Sequence, residues 1–147
     1  MEIHYYQEQQ REENRVDVYF RQQDEEIQNL MAFLEKEQVV IGMSEGETKR
    51  IFPSEIYYLE IVDRRCFAYL QEEVWQLELS LRSFLEKYEV NGFVQIGKSV
   101  IANINKIERI VPDINMRMHL ILKNGEKLVV NRSYKKQFMD SLKGVEK

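Results

Sequence analysis

Between Ile56 and Leu77 the apolar residues come in short, closely spaced runs: Ile56 to Val62, Cys66 to Leu70 and Val74 to Leu77, divided by the charged turns Asp63-Arg64-Arg65 and Glu72-Glu73. Runs so brief and connections so short leave little but a meander of β-strands. Ser80 then precedes Leu81, Phe84, Leu85 and Tyr88 at helical spacing, which predicts a short amphipathic helix ended by Asn91-Gly92. Past the turn-like Asn103 to Lys106, the apolar Met116, Met118, Leu120 and Leu122 alternate with Arg117, His119, Ile121 and Lys123. Asn124-Gly125 predicts a type I′ hairpin with positive φ at both residues, and Lys127 to Val130 supplies the returning strand. A last helix is predicted from a Ser133 cap through Tyr134, Phe138 and Leu142 to Gly144.

The beginning of the chain has a different pattern. Met1 to Gln7 alternates, as does Val16 to Phe20, which predicts two half-buried strands joined by the polar run Glu8 to Arg15. Asp24 caps a predicted helix with Glu25 and Glu26 in its first turn and Ile27, Leu30, Met31 and Leu34 on one face. Val39-Val40-Ile41 and Thr48 to Phe52 flank Gly42 to Gly46, which predicts a hairpin. The expected architecture is therefore α+β and predominantly antiparallel, with a small β-β-α-β unit over residues 1–48 and a second domain over 49–147.

With 44% hydrophobic and 31% charged residues, a chain of 147 residues has the composition of a globular protein rather than a disordered one. No apolar run approaches the length that spans a bilayer, and no secretory leader is visible, so a cytoplasmic protein without membrane insertion is expected. Cys66 is the lone cysteine and reads as a small buried strand residue. With His4 and His119 distant and without visible partners, it has no metal-ligand spacing. The net charge of −4 averages two unlike parts: Met1 to Gly46 carries 4 Lys/Arg against 11 Asp/Glu, whereas Glu47 to Lys147 carries 17 against 14. Any affinity for an anionic partner thus belongs to the C-terminal part.

Two segments there invite a chemical reading. In Arg132-Ser133-Tyr134-Lys135-Lys136, three cations sit at the start of the last predicted helix, where the macrodipole disfavours positive charge. A phosphate docked on that helix start would reverse the sign; a solvated lysine face beyond the first turn is the equal alternative. In the second segment, Gly92 to Ser99 satisfies the bare G-x-x-x-x-G-K-[ST] pattern of a nucleotide loop. Its interior Phe-Val-Gln-Ile is strand-like, whereas a phosphate cradle needs a flexible turn, so context argues against that reading. Asn103 is read as fixing a turn through its own backbone rather than as part of a site.

The stretch Phe93 to Ile107 resembles the LytTR family pattern: a Phe-containing strand, a short polar loop, Ser99, the apolar pair Val100-Ile101, and Asn103 before a final Ile. Ile56-Tyr57-Tyr58-Leu59-Glu60 resembles that family's opening strand, Ser80-Leu81 its middle helix start, and Asn124-Gly125-Glu126 through Arg132-Ser133-Tyr134 its closing hairpin and tail. The similarity runs from roughly Ile51 to Lys143. It implies an elongated, mainly antiparallel β domain that reads DNA through loops, entering two successive major grooves and bending the duplex between them. Carried over by position, Arg64 and Arg65 lie in one contact loop, Lys98 precedes the serine of the second, and Arg132 ends the last strand. Arg and Lys suit guanine edges, while Ser99, Lys135 and Lys136 suit phosphates. Family members with His or Asn at the first two places leave the preferred base sequence open.

The function implied is that of a sequence-specific transcription regulator bound to double-stranded DNA, with no cofactor and no enzymatic activity. A protein-interaction module of the same fold and a phosphate-ligand protein using Gly97-Lys98-Ser99 are the rivals. The enzyme reading lacks a base, a nucleophile pair or a metal cluster. Some 48 residues are too few for a receiver domain, so no phosphoacceptor aspartate is expected. The acidic N-terminal unit is expected to support a homodimer or to bind a sensor or membrane-protein partner.

Overall fold

A computed structural model describes residues 1–35, 39–115 and 117–145. It divides into two compact units, 1–34 and 35–147.

In the first unit, residues 1–23 form neither strand nor helix, so the two expected N-terminal strands are absent. The alternation is real, yet Ile3, Tyr5, Tyr6, Val16 and Tyr19 all remain exposed. An isolated two-stranded ribbon is marginal in water, and alternation gains nothing without a surface to cover. The helix does form, as α1 (Glu25–Glu35). Asp24 Oδ1 accepts from the Ile27 N–H at 3.0 Å, as an N-cap should, and Ile27 is buried.

The second unit is built on two antiparallel sheets. The larger contains β1 (Val40–Ser44), β2 (Glu47–Ile51), β3 (Tyr58–Val62), β4 (Arg65–Tyr69), β5 (Val74–Leu77), β6 (Phe93–Gly97) and β7 (Val100–Asn103) in the order β2-β1-β5-β4-β3-β7-β6. The smaller contains β8 (Ile107–Pro112), β9 (Met118–Leu122) and β10 (Lys127–Val130) in the order β10-β9-β8. Two helices complete it, α2 (Leu81–Tyr88) and α3 (Lys135–Val145). Met116, expected in the alternating strand, lies outside the described residues.

The period-2 pattern explains the layering. One set of side chains, including Leu59, Cys66, Trp75, Leu77 and Ile101, packs with Leu81, Phe84 and Tyr88 of α2. Their neighbours Tyr58, Val94, Ile96 and Ala102 pack with Leu120, Leu122 and Val130 of the smaller sheet and with Phe138 of α3. The large sheet is thus covered on two faces by two cores. Cys66 lies in the first, where burial pushes its thiol up to about 11, consistent with a packing role.

Several local expectations change. The first hairpin forms, but β1 pairs with β5, which places it in the large sheet and not in a small N-terminal unit. The expected boundary after residue 48 falls inside β2. Gly42 is a strand residue, since a Cβ there would meet Ile51 Cδ1 at 2.6 Å and Trp75 Cβ at 2.7 Å; the turn itself is Glu45-Gly46. At Asn124-Gly125 only Gly125 has positive φ. Gly125 N–H donates to Leu122 C=O and Leu122 N–H to Glu126 C=O, so the connection is the three-residue Lys123-Asn124-Gly125 and not a type I′ pair. The shift frees Asn124 to act as a tether: its Oδ1 accepts from Glu126 N–H, and its Nδ2 donates to Gln71 C=O at 3.2 Å in the β4–β5 turn. Glu126 also bonds the Tyr58 hydroxyl; this bond and, above all, burial raise that phenol above its ordinary range.

Ser133 does not cap the last helix. A 3-10 turn over Arg132–Tyr134 leads into α3, and Ser133 sits within it. Ser80 does cap α2, accepting from Ser83 N–H at 3.0 Å. Asn103 is 2% exposed, donating through Nδ2 to Ile56 C=O at 2.8 Å and accepting at Oδ1 from Asn105 N–H at 3.0 Å. His4 lies 3.6 Å from Glu2, and His119 Nε2 lies 3.1 Å from Asp113 Oδ2. That bond, with backbone N–H donors from Asn115 and Ile114, holds the Asp113 carboxyl below its usual range. No helix among the described residues is long and apolar enough to cross a membrane.

Candidate nucleic-acid interface

The antiparallel ladders decide which turns share an end of the large sheet. β3 runs toward Val62 and turns at Asp63-Arg64 into β4. β7 is antiparallel to β3, with Glu60 opposite Val100, and Ile61 N–H donates to Ser99 C=O at 2.9 Å. The Lys98-Ser99 turn between β6 and β7 therefore leaves the sheet beside the Asp63-Arg64 turn. The smaller sheet brings a third basic segment to the same place. Its β9–β10 tip is tethered at the opposite end through Asn124, so β10 runs back toward the two turns, and Asn131 N–H donates to Ile96 C=O at 2.9 Å, two residues before Lys98. Arg132, Lys135 and Lys136 follow directly.

Arg64, Lys98 and Arg132, distant in the chain, are thus gathered at one end of the domain. Arg65 stands at the first position of β4 on the same edge. Arg64, Arg65, Lys98, Arg132 and Lys136 are exposed, and Ser99 and Lys135 are half-buried. Among the described residues none of these six cations lies in an ion pair, whereas Lys49 is bound to Glu73 and Arg82 to Glu86 elsewhere in the unit. Six cations outside any ion pair, against Asp63 in the same turn as Arg64, leave a net positive field for an anion at this end despite the acidic chain. The β8–β9 connection reaches this end too, because Met118 pairs with both Val130 and Pro112. It adds Arg117, which the alternating pattern places on a strand with no functional mark; only the register of β9 against β10 brings it to this end.

Arg64 is held in a costly conformation. Asp63 and Arg64 have φ of 50° and 67°, a pair of left-handed residues with no glycine between them. They are the central residues of the two-residue hairpin between paired Val62 and Arg65, a type I′ turn whose twist matches the strands and requires positive φ at both places; a left-handed L-residue costs about 1–2 kcal/mol there. Arg64→Gly is expected to raise unfolding free energy by about 1 kcal/mol while weakening any contact made by the guanidinium. Thermal melts and binding titrations on the same sample check both signs; a variant that is both less stable and fully binding-competent would contradict the assignment.

The Gly97-Lys98-Ser99 segment does not form a phosphate cradle. Gly92 is left-handed at the end of a helical turn, residues 93–97 are a strand, and Lys98-Ser99 is a hairpin turn into another strand rather than a helix.

Residues 46–143 match the protein family described as the LytTr DNA-binding domain. The chain is 29% identical over 107 residues to the sensory transduction protein LytT of Enterococcus faecalis, covering 73% of this chain and 44% of that protein. It is 32% identical over 89 residues to the LytT protein of Bacillus cereus, with coverage of 60% and 36%. This chain thus spans roughly two fifths of the length of these relatives. A protein of Staphylococcus aureus named as an HTH-type transcriptional regulator is 24% identical over 133 residues, covering 88% of this chain and 90% of its own length. Among solved structures, the LytTr DNA-binding domain of a Bacillus cereus response regulator superposes with a TM-score of 0.68 at 28% identity, covering 71% of this chain and 96% of that one.

Proposed function

The chain belongs to the LytTr DNA-binding domain family, and from that premise we propose that it is a transcription regulator that reads double-stranded DNA in the major groove through Arg64, Lys98 and Arg132. Arg65, Ser99, Lys135 and Lys136 hold the flanking phosphates. The observation that supports this reading is the convergence of three separate basic segments, free of ion pairs, at one end of the domain. Arginine and lysine donate to guanine O6 and N7, which supplies sequence preference, while the lysines at the start of α3 and the helix dipole meet phosphate oxygens, which supplies affinity. The protein acts in the cytoplasm as a homodimer and without catalytic activity, and the acidic residues 1–34 form the surface for a second copy or a sensor partner.

Selection of bound sequences from random duplex DNA, repeated with Arg132→Ala, tests the reading. A recovered consensus that loses its preference at one position in the variant supports it, and recovery of unrelated sequences overturns it. Lys135→Gln with Lys136→Gln is expected to weaken binding to all sequences alike and to lower the slope of log affinity against log salt by about 2. Fluorescence anisotropy at several salt concentrations measures that slope, and an unchanged slope removes these lysines from the phosphate contact.

A further inference from the structure

We propose that the close seat between Gly97 and Asn131 is a positioning device that sets the spacing of Lys98 from Arg132, and thereby the sharpness with which the protein discriminates its DNA sequence. This rests on the reading of Lys98 and Arg132 given above.

The pairing of β6 with β7 runs from Gln95 opposite Ile101 to Gly97 opposite Val100, leaving Ile96 as the extra residue of a bulge. Bulges re-aim backbone groups at strand ends. Here the Ile96 carbonyl accepts from Asn131 N–H at 2.9 Å, while the Ile96 side chain stays fully buried in the core shared with the smaller sheet. Gly97 follows, buried, with φ outside the left-handed region, so its backbone has no need of glycine. Its space does: a Cβ would stand 3.1 Å from Asn131 Nδ2 and 3.8 Å from Asn131 Cγ. The two residues of this contact are each followed directly by a proposed reading cation, Lys98 on one side and Arg132 on the other. Among the described residues, the hairpin's other hydrogen bonds outside its ladder with β8, from Asn124 to Gln71, from Lys123 to Lys106 and between Glu126 and Tyr58, lie at the far end of the sheets. Asn131 is exposed, so its amide yields to a single methyl at Gly97, whereas the two γ-methyls of a valine press on the segment bonded to Ile96 and move Arg132 relative to Lys98 without removing a charge; a reading constellation loosened by a fraction of an ångström loses discrimination first.

The test uses the full chain with Gly97→Ala, Gly97→Val, Asn131→Ala and the pair Gly97→Val/Asn131→Ala. Affinities are measured for a selected duplex and for a shuffled duplex of equal length, alongside thermal melts. Gly97→Val is expected to lower the ratio of specific to non-specific affinity about tenfold, the scale of one mismatched base pair. Its salt slope and its affinity for shuffled DNA remain those of the wild type. The pair recovers most of the ratio, because removing the Asn131 amide makes room for the new methyl groups while the backbone bond to Ile96 persists. A Gly97→Val protein that melts earlier but keeps the wild-type ratio overturns the proposal, as does a pair no better than the single variant. Gly97→Ala, whose methyl the amide accommodates, keeps nearly the wild-type ratio; if Gly97→Val does not fold, the pair is read against Asn131→Ala, and equal ratios overturn the proposal. A wild-type protein that does not distinguish the two duplexes defeats the DNA-reading proposal itself, and this one with it.

Discussion

Replacing Arg64, Lys98 and Arg132 together with alanine is expected to reduce binding to a selected operator nearly to the level of random DNA while leaving the melting temperature almost unchanged. Each good base contact by such a side chain contributes about 1–3 kcal/mol of discrimination, and contacts at well-separated positions add approximately. The combined loss is then about 3–9 kcal/mol in specific binding, beyond a hundredfold even at the low end. All three side chains are exposed and none is in an ion pair among the described residues, so stability moves by no more than about 0.5 kcal/mol per substitution. Competition binding against genomic DNA, with a thermal melt of the same preparation, separates the two quantities. Retention of operator preference in the triple variant would falsify the assignment of these turns to base reading.

Phe138→Ala is expected to produce the opposite combination, a large loss of stability without the loss of any charge. Phe138 is fully buried and fastens α3 to the core formed by Tyr58, Val94, Ile96, Leu120, Leu122 and Val130. Truncating a buried phenylalanine costs about 3–5 kcal/mol through lost transfer energy and the cavity left behind. That is a large fraction of the 5–15 kcal/mol or so that holds a typical domain folded. Lys135 and Lys136 open the helix that this ring anchors, so DNA affinity falls as the helix loosens, with the salt slope dropping in parallel. Chemical denaturation gives the stability change directly. A variant within about 1 kcal/mol of wild type would show that the neighbouring side chains collapse into the space.

Much of the fold is visible in local sequence because strand period, caps and turn residues are local physics. The runs from Ile56 to Leu77, the Ser80 cap, the Asp24 cap and the returning strand at Lys127 to Val130 all appear where their patterns point. Where local reading departs from the structure, the deciding contact is distant. Val16 to Phe20 alternates as a strand does, yet no sheet edge pairs with it. Local pattern groups the Val40–Ser44 strand with its neighbours in the chain, but its second partner is Val74–Leu77. Asn124-Gly125 carries the residues of one hairpin turn and forms another, since the pairing of Leu122 with Glu126 sets the loop at three residues. His119 gains a partner in Asp113 through the β8–β9 ladder, and no spacing rule announces that pair.

The candidate site divides in the same way. The residue types at Arg64, Arg65, Lys98, Ser99, Arg132, Lys135 and Lys136, together with the family they resemble, are properties of the sequence, and so is the positive charge at the start of the last helix. Their assembly is not. Successive antiparallel strands send alternate turns to opposite ends of a sheet, so whether two turns meet depends on strand order and register, which long-range core packing selects. Burial of Leu59 and Tyr58 on opposite faces, the pairing of β3 with β7, and the return of β10 to Ile96 put three basic segments side by side. Which charges are available, and that they sit at turns and a helix start, follows from local chemistry; that they share one end follows from register, which is set by contacts between residues far apart in the chain.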